Sequence, residues 1–292
     1  VIVKEIQAKT LVQTVRGDDD LFVLDYNFNL YRGCQHRCIY CDSRSECYQI
    51  ENFDGEILVK ANAIELLDKE LPRKRRKGVI GTGSMNDPYM PLEGRLDLTG
   101  RALEVIARHG FGVSVITKSA LVARDVQRLQ AIAAHSTARV CFTVTTTDDA
   151  LAKKIEPGAS LVSERLRALQ TLSEAGIETG VTLMPVLPFI EDNPENIQAV
   201  VEQAAAHGAQ YVIPWFGMSM RDRQREYYYA RLDELFPGLR EKYVRRYGER
   251  YGVTANRADE LSKLFYDLCA RLGLGTRMPR EESKKPEQPR LL

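Results

Sequence analysis

The chain has 292 residues, and 41 Lys and Arg stand against 40 Asp and Glu, a net charge of +1. That balance excludes a strong global attraction to nucleic acid or to a membrane surface. A content of 44% hydrophobic and 28% charged residues excludes a disordered or fibrous chain. The longest apolar runs, such as 181–190, are about ten residues and contain Pro, well short of the roughly 20 that a membrane-spanning helix needs. The opening VIVKEIQAKT lacks a basic segment, an apolar stretch and a small-residue cleavage site. A cytoplasmic location is expected.

In chain order, residues 1–25 read as an N-terminal extension. Strands are expected at 28–32, 79–82, 112–117, 139–145, 179–184 and 211–214, alternating with helices at 61–71, 98–108, 121–133, 161–174 and 195–206. Short β-branched runs between stretches of helical period indicate βα units on a parallel sheet. A closed eight-fold barrel takes about 250 residues, so six repeats predict an α/β fold of the partial (β/α)6 TIM-type barrel class over 26–220. A doubly wound open sheet is the alternative. Either architecture gathers functional groups at the C-terminal ends of the strands. Polar residues follow those ends: Cys34, then Ser84 and Asn86, then Lys118 and Ser119, then Thr145 to Thr147. From 221 to 278 the pattern turns helical, a C-terminal helical extension rich in Tyr and Arg. The tail 279–292, PREESKKPEQPRLL, is polar and Pro-rich and expected to be disordered.

Six cysteines in a chain of this size do not suggest a secreted disulfide framework. Three of them, Cys34, Cys38 and Cys41, fall in GCQHRCIYCD at the spacing C-x3-C-x2-C, directly after the first expected strand. Thiolates are soft ligands suited to iron–sulfur clusters or zinc. A structural zinc site wants four ligands and would recruit His36 or Cys47, whereas a [4Fe-4S] cluster on three cysteines keeps one iron open. The βα context favours the cluster over zinc and over a redox-sensing trio.

With Tyr40 just before the last cysteine, this motif resembles the radical S-adenosylmethionine (SAM) superfamily. NLYRGCQHRCIYCDSR, NDPYMPLE, VSVITKSALVARD and the run 155–176 are similar to its spore photoproduct lyase-like, DNA repair photolyase-type branch. The resemblance covers about residues 26–215 and implies a [4Fe-4S] cluster on Cys34, Cys38 and Cys41. It also implies reductive cleavage of SAM to a 5'-deoxyadenosyl radical, and a one-electron reductant such as flavodoxin or ferredoxin. It places the backbone of Tyr40 near the adenine, the GTGS run with Gly81, Gly83 and Ser84 near the SAM amino group, and Lys118 on the SAM carboxylate. Thr145, at the end of the fourth strand, joins the candidate cofactor residues.

Spore photoproduct lyase donates its last hydrogen atom from a cysteine after the second strand, where this chain offers Ser84. An O–H bond is too strong to replace that S–H donor. Two other cysteines are candidates. Alternation in RVCFTVT turns Val140, Phe142 and Val144 to one face and Cys141 to the other, toward the lumen; the plain alternative is a small buried hydrophobe. Cys47 lies six residues past the last ligand on the same loop. Cys269 reads as packing.

PRKRRK at 72–77 reads as a solvated cap on the side of the strands away from the active mouth. MRDRQREYYYARL interleaves Arg221, Arg223 and Arg225 with Tyr227, Tyr228 and Tyr229, near Trp215 and Phe216. These side chains either contact phosphate and stack on bases or pack on the barrel and pair locally. The expected function is a radical SAM enzyme acting on a nucleic acid or nucleobase lesion. The alternatives are a peptide or small-metabolite substrate, and a non-enzymatic iron–sulfur or zinc module.

Overall fold

Hydrophobic alternation and helical period translate almost directly into elements. The computed structural model describes residues 1–16 and 21–280. The first part of the chain holds β1 (Ile2–Ile6), β2 (Gln13–Thr14), β3 (Tyr26–Phe28), β4 (Tyr31–Arg32), β5 (Glu56–Lys60) and α1 (Ala63–Glu70). There follow β6 (Val79–Thr82), α2 (Glu93–Leu96), α3 (Leu98–Arg108), β7 (Gly112–Thr117), α4 (Val126–Ala133), β8 (Ala138–Thr143), α5 (Asp149–Ile155) and α6 (Val162–Glu174). The rest comprises β9 (Glu178–Leu183), α7 (Pro194–Ala206), β10 (Tyr211–Pro214), β11 (Gly217–Ser219), α8 (Asp222–Leu235), α9 (Leu239–Tyr247), β12 (Gly252–Thr254) and α10 (Ala258–Leu272).

The central sheet has the order β10-β9-β8-β7-β6-β3-β2. Its first six strands are parallel and β2 closes the edge antiparallel. The parallel strands neighbour one another in chain order without the reversal that defines a doubly wound sheet. One face, with Val113, Val115, Val140, Phe142 and Val181, packs on Leu103 and Ile106 of α3, Leu129 and Ile132 of α4, and Leu169 and Leu172 of α6. On β8 the alternation holds: Cys141 leaves that core and packs with Ile116, Met184, Tyr211, Ile213 and Met278. The whole is a mixed α/β fold with a C-terminal helical region.

Four expectations need correction. The strand at 28–32 divides, because β3 joins the central sheet while β4 pairs with β5 in a second sheet ordered β1-β5-β4. The extension 1–25 therefore contributes β1 to that second sheet and β2 to the edge of the first. The helix at 121–133 is α-helical only from Val126, since Ala120–Asp125 forms a 3-10 turn. The region after 221 is helical except for β12, which pairs antiparallel with β11. The tail expected to be disordered falls, from 281 onward, outside the described residues.

Candidate active site

The cysteine loop starts from a backbone turn that only glycine accommodates easily. Gly33 has φ +86, and a Cβ there would lie 2.6 Å from the Glu56 carbonyl oxygen on β5. Cys34 and Cys38 are buried and Cys41 nearly so. The segment 155–158 grips the loop from one side. The Ile155 carbonyl takes the Ile39 N–H at 2.9 Å, and the His36 carbonyl takes the Gly158 N–H at 2.9 Å. A Cβ on Gly158 would stand 2.0 Å from the Gln35 carbonyl oxygen.

A cavity of about 580 Å³ opens over this loop. Cys34, Cys38, Cys41, Tyr40 and Lys118 line it, and so do Thr82, Thr117, Thr143 and Thr182 at the C-terminal ends of β6, β7, β8 and β9. The site thus forms where parallel α/β sheets place their functional groups. Burial pushes the Cys34 thiol up to about 12, and burial likewise raises Cys38 and Cys41. Partial burial opposes the charge of the Lys118 ammonium, but Cys38, Glu156 and Asp87 outweigh that and hold its pKa above the ordinary value. It stands 5.6 Å from the centre of the Tyr40 ring. The Tyr40 hydroxyl donates to Glu156, which also pairs with the buried Arg165.

Sequence reasoning missed Asp87, Glu156 and Arg165. Asp87 receives the Lys118 N–H and the Thr117 hydroxyl, each at 2.7 Å, and the Tyr89 N–H at 2.8 Å, with His36 Nδ1 at 3.3 Å. It thereby ties the cysteine loop to the end of β7. Burial alone would raise its pKa, yet His36 and these hydrogen bonds bring it down to about 2. The available signals were the Asp in NDPY and the Glu and Gly in IEPGAS, but only the fold brings them to the cysteines.

The remaining candidates divide. Gly83 (φ +89) and Ser84 line the cavity, and the Ser84 Oγ accepts from Asn27 Nδ2 at 2.9 Å and Asn29 Nδ2 at 3.0 Å. Gly81 is not a lining residue; a Cβ there would meet Leu24 Cδ1 at 2.3 Å, so its bareness seats Leu24 in the cavity wall. Thr145 also lies off the cavity, its carbonyl taken by Asn196 Nδ2 at 2.8 Å. Cys141 is buried one layer behind lining residues Ile116 and Met184, and burial pushes its thiol up to about 12. Cys47 is exposed and accepts from Arg221 Nη1 at 3.0 Å. Neither cysteine is among the lining residues. Of the proposed fourth zinc ligands, His36 is engaged by Asp87 and Cys47 by Arg221. Among the described residues no group of three His, Cys, Asp or Glu side chains closes on one ion position.

The family model of the radical SAM superfamily matches residues 28–208. The chain belongs to the radical SAM superfamily. Radical-type enzymatic activity, and use of SAM with an iron–sulfur cluster, come with that membership. This radical SAM protein is 31% identical over 232 residues to an uncharacterized protein of Mycobacterium tuberculosis, covering 77% of this chain and 67% of the relative. An uncharacterized protein of Methanocaldococcus jannaschii is 33% identical over 169 residues, 57% of this chain and 62% of that protein. Among solved structures, spore photoproduct lyase complexed with dinucleoside spore photoproduct superposes with TM-score 0.69 at 16% identity, over 94% of this chain and 82% of that one. A variant of that lyase with bound AdoMet and dinucleoside spore photoproduct gives 0.70 at 16%, over 95% and 82%. At such identity the likeness is one of fold.

The residues of this radical SAM protein fit a cluster and SAM. Three soft donors share one loop beside a half-buried ammonium. Two buried polar atoms of lining residues, Thr82 Oγ1 and Asn86 Oδ1, have no protein hydrogen-bond partner, and such atoms cost about 1–3 kcal/mol each unless a ligand or water meets them. Among the described residues no helix is long and apolar enough to cross a membrane.

Proposed function

We propose that the chain is a radical SAM enzyme of partial (β/α)6 barrel form whose Cys34, Cys38 and Cys41 hold a [4Fe-4S] cluster and whose cavity holds SAM. The convergence of the three cysteines, Tyr40 and Lys118 on one cavity at the strand ends carries this reading. The cluster, when reduced by a flavodoxin- or ferredoxin-type donor, supplies reductive cleavage of SAM and a radical that abstracts hydrogen from substrate. Lys118 offers a half-buried cation for the SAM carboxylate, and Gly83 and Ser84 offer a close backbone approach for its amino group. Asn86 Oδ1 and Thr82 Oγ1 offer acceptors on the same wall.

For the substrate we propose a nucleobase or nucleic-acid lesion, supported by the fold shared with spore photoproduct lyase. Ser84, tethered by two asparagines and lacking an S–H, argues that the final hydrogen donor differs from that lyase's cysteine. Cys141, buried behind Ile116 and Met184, and Cys47, exposed beyond the last ligand, are the two candidates. A small metabolite is the second reading, favoured by the cavity volume, which lies within the range of small-molecule sites.

Anaerobic reconstitution tests the proposal. The wild-type chain should bind about four irons and matching sulfide and, once reduced, convert SAM to 5'-deoxyadenosine. Cys34→Ala, Cys38→Ala and Cys41→Ala should each abolish this, while Cys47→Ala should not change cluster content. A colourless protein with one bound zinc and no 5'-deoxyadenosine would replace the enzyme by a zinc module.

A further inference from the structure

The turn that carries two of the cysteines is closed by the Cys41 N–H on the Cys38 carbonyl at 3.3 Å. Its Ile39 N–H and its Tyr40 hydroxyl are held by Ile155 and Glu156. The Tyr40 carbonyl, between the two cysteines, is held from elsewhere. Gln224, in the first turn of α8 and 0% exposed, donates from Nε2 to the Tyr40 carbonyl at 2.9 Å and to the Ser219 carbonyl at 2.7 Å. Its Oε1 accepts the Arg221 N–H at 2.7 Å. Two carbonyls face one end of the amide and an N–H faces the other, so the orientation is forced and a Gln meets all three needs. A glutamate would lack the donors and a methionine would lack everything but the shape.

Neighbouring contacts act in the same direction. Asp222 accepts the Ser45 hydroxyl at 3.0 Å and the Glu46 N–H at 3.1 Å, and the Ser219 hydroxyl donates to Asp42 at 2.6 Å. The start of α8 thus grips residues 40–46 through hydrogen bonds separate from those made by 155–158.

We propose that Gln224 is a positioning residue of the cysteine loop: by fixing the Tyr40 carbonyl between Cys38 and Cys41, it lets the C-terminal region set the loop geometry that meets SAM. The SAM half of this inference rests on the proposed function, while the loop-holding half stands on the hydrogen bonds alone. A buried amide that satisfies three backbone groups at once leaves all three unpaired when removed. The loosening should therefore appear first in the loop.

The test compares Gln224→Met with Tyr228→Phe, a change in the same helix that removes the buried hydrogen bond between the Tyr228 hydroxyl and that of Tyr243 in α9 and no hydrogen bond to the loop. In the full chain free of cofactors, hydrogen–deuterium exchange over 38–46 should rise about tenfold or more in Gln224→Met and stay at the wild-type rate in Tyr228→Phe. In the reconstituted enzyme, KM for SAM should rise about tenfold in Gln224→Met with kcat within about twofold. Should Gln224→Met fail to fold, Gln224→Glu, which keeps the acceptor for the Arg221 N–H, is read in the same way. Unchanged exchange over 38–46, or an equal rise in Tyr228→Phe, overturns the positioning role. An unchanged KM beside a loosened loop overturns its link to SAM. A wild-type chain that takes up no cluster refutes the proposed function, yet the exchange comparison still decides the role of Gln224.

Discussion

Glu191 is fully buried just past β9, where its carboxyl accepts the Leu187 N–H at 3.0 Å. Burial pushes its pKa from 4.5 up to about 8, aided by Glu156 and Asp192 and opposed by the Thr145 hydroxyl and the Leu187 amide. Between those two values the folded chain keeps a proton that the unfolded chain has released. Folded protein then binds more protons, so stability is full below about 4.5 and is lost as pH rises through about 8. At roughly 1.4 kcal/mol per pKa unit the loss is on the order of 4 kcal/mol. Glu191→Gln keeps the shape and removes the titration. Urea unfolding at about pH 5 and about pH 8 should show a fall of a few kcal/mol in the wild type that is absent from the variant. Equal falls in both proteins would rule out the buried carboxylic acid as its source.

The cysteine loop is also held by the short connection from α5 to α6. Because a Cβ on Gly158 would sit 2.0 Å from the Gln35 carbonyl oxygen, Gly158→Ala must push the connection off the cysteine loop. The expected cost is about 2 kcal/mol of stability together with a loss of at least half the bound iron, read by thermal melting and iron analysis. Iron content equal to wild type would show that the loop holds itself. Little of this clamp was legible in the sequence. The six parallel strands were, since runs such as GVSVIT and RVCFT are β-branched, apolar and spaced by helical periods. The second sheet was not, because β1 is exposed along most of its length and β5 reads EILVK, three apolar residues in a row that hide its alternation. The cysteine spacing announced its own chemistry, whereas Glu156, Asp87 and Gln224 are single polar residues whose roles exist only once distant elements pack. The strand-end rule pointed to both Lys118 and Thr145, of which Lys118 lines the cavity and Thr145 does not.

Across the whole molecule the charge is uneven: residues 216–292 carry 17 Lys and Arg against 12 Asp and Glu, and residues 1–215 carry 24 against 28. The fold uses much of the basic excess internally. Arg221 reaches Asp42 at 3.1 Å, Arg223 reaches Glu46 at 3.8 Å, Arg240 reaches Asp233 at 2.7 Å, and Arg231 and Arg257 pair with Glu234 and Glu260. Arg225 donates to the Met220 and Glu249 carbonyls. Tyr228 and Tyr229 are buried, and the Arg44 guanidinium covers Tyr227 at 3.4 Å. The interleaved arginines and tyrosines therefore pack and pair, as their helical spacing allowed. A strand bound through few phosphate contacts shows a shallow salt dependence, because each contact adds about −0.7 to the slope of log K against log salt for single strands. Fluorescence anisotropy with a labelled single-stranded oligonucleotide should give a slope no steeper than about −2 and only micromolar or weaker binding near physiological salt. If the substrate is a base lesion, recognition must then come from the cavity, so a lesion-bearing dinucleoside should bind within about tenfold of a long strand carrying the same lesion. A slope of about −5 or steeper, or a dinucleoside that binds orders of magnitude more weakly, would show instead that the basic C-terminal region reads the backbone.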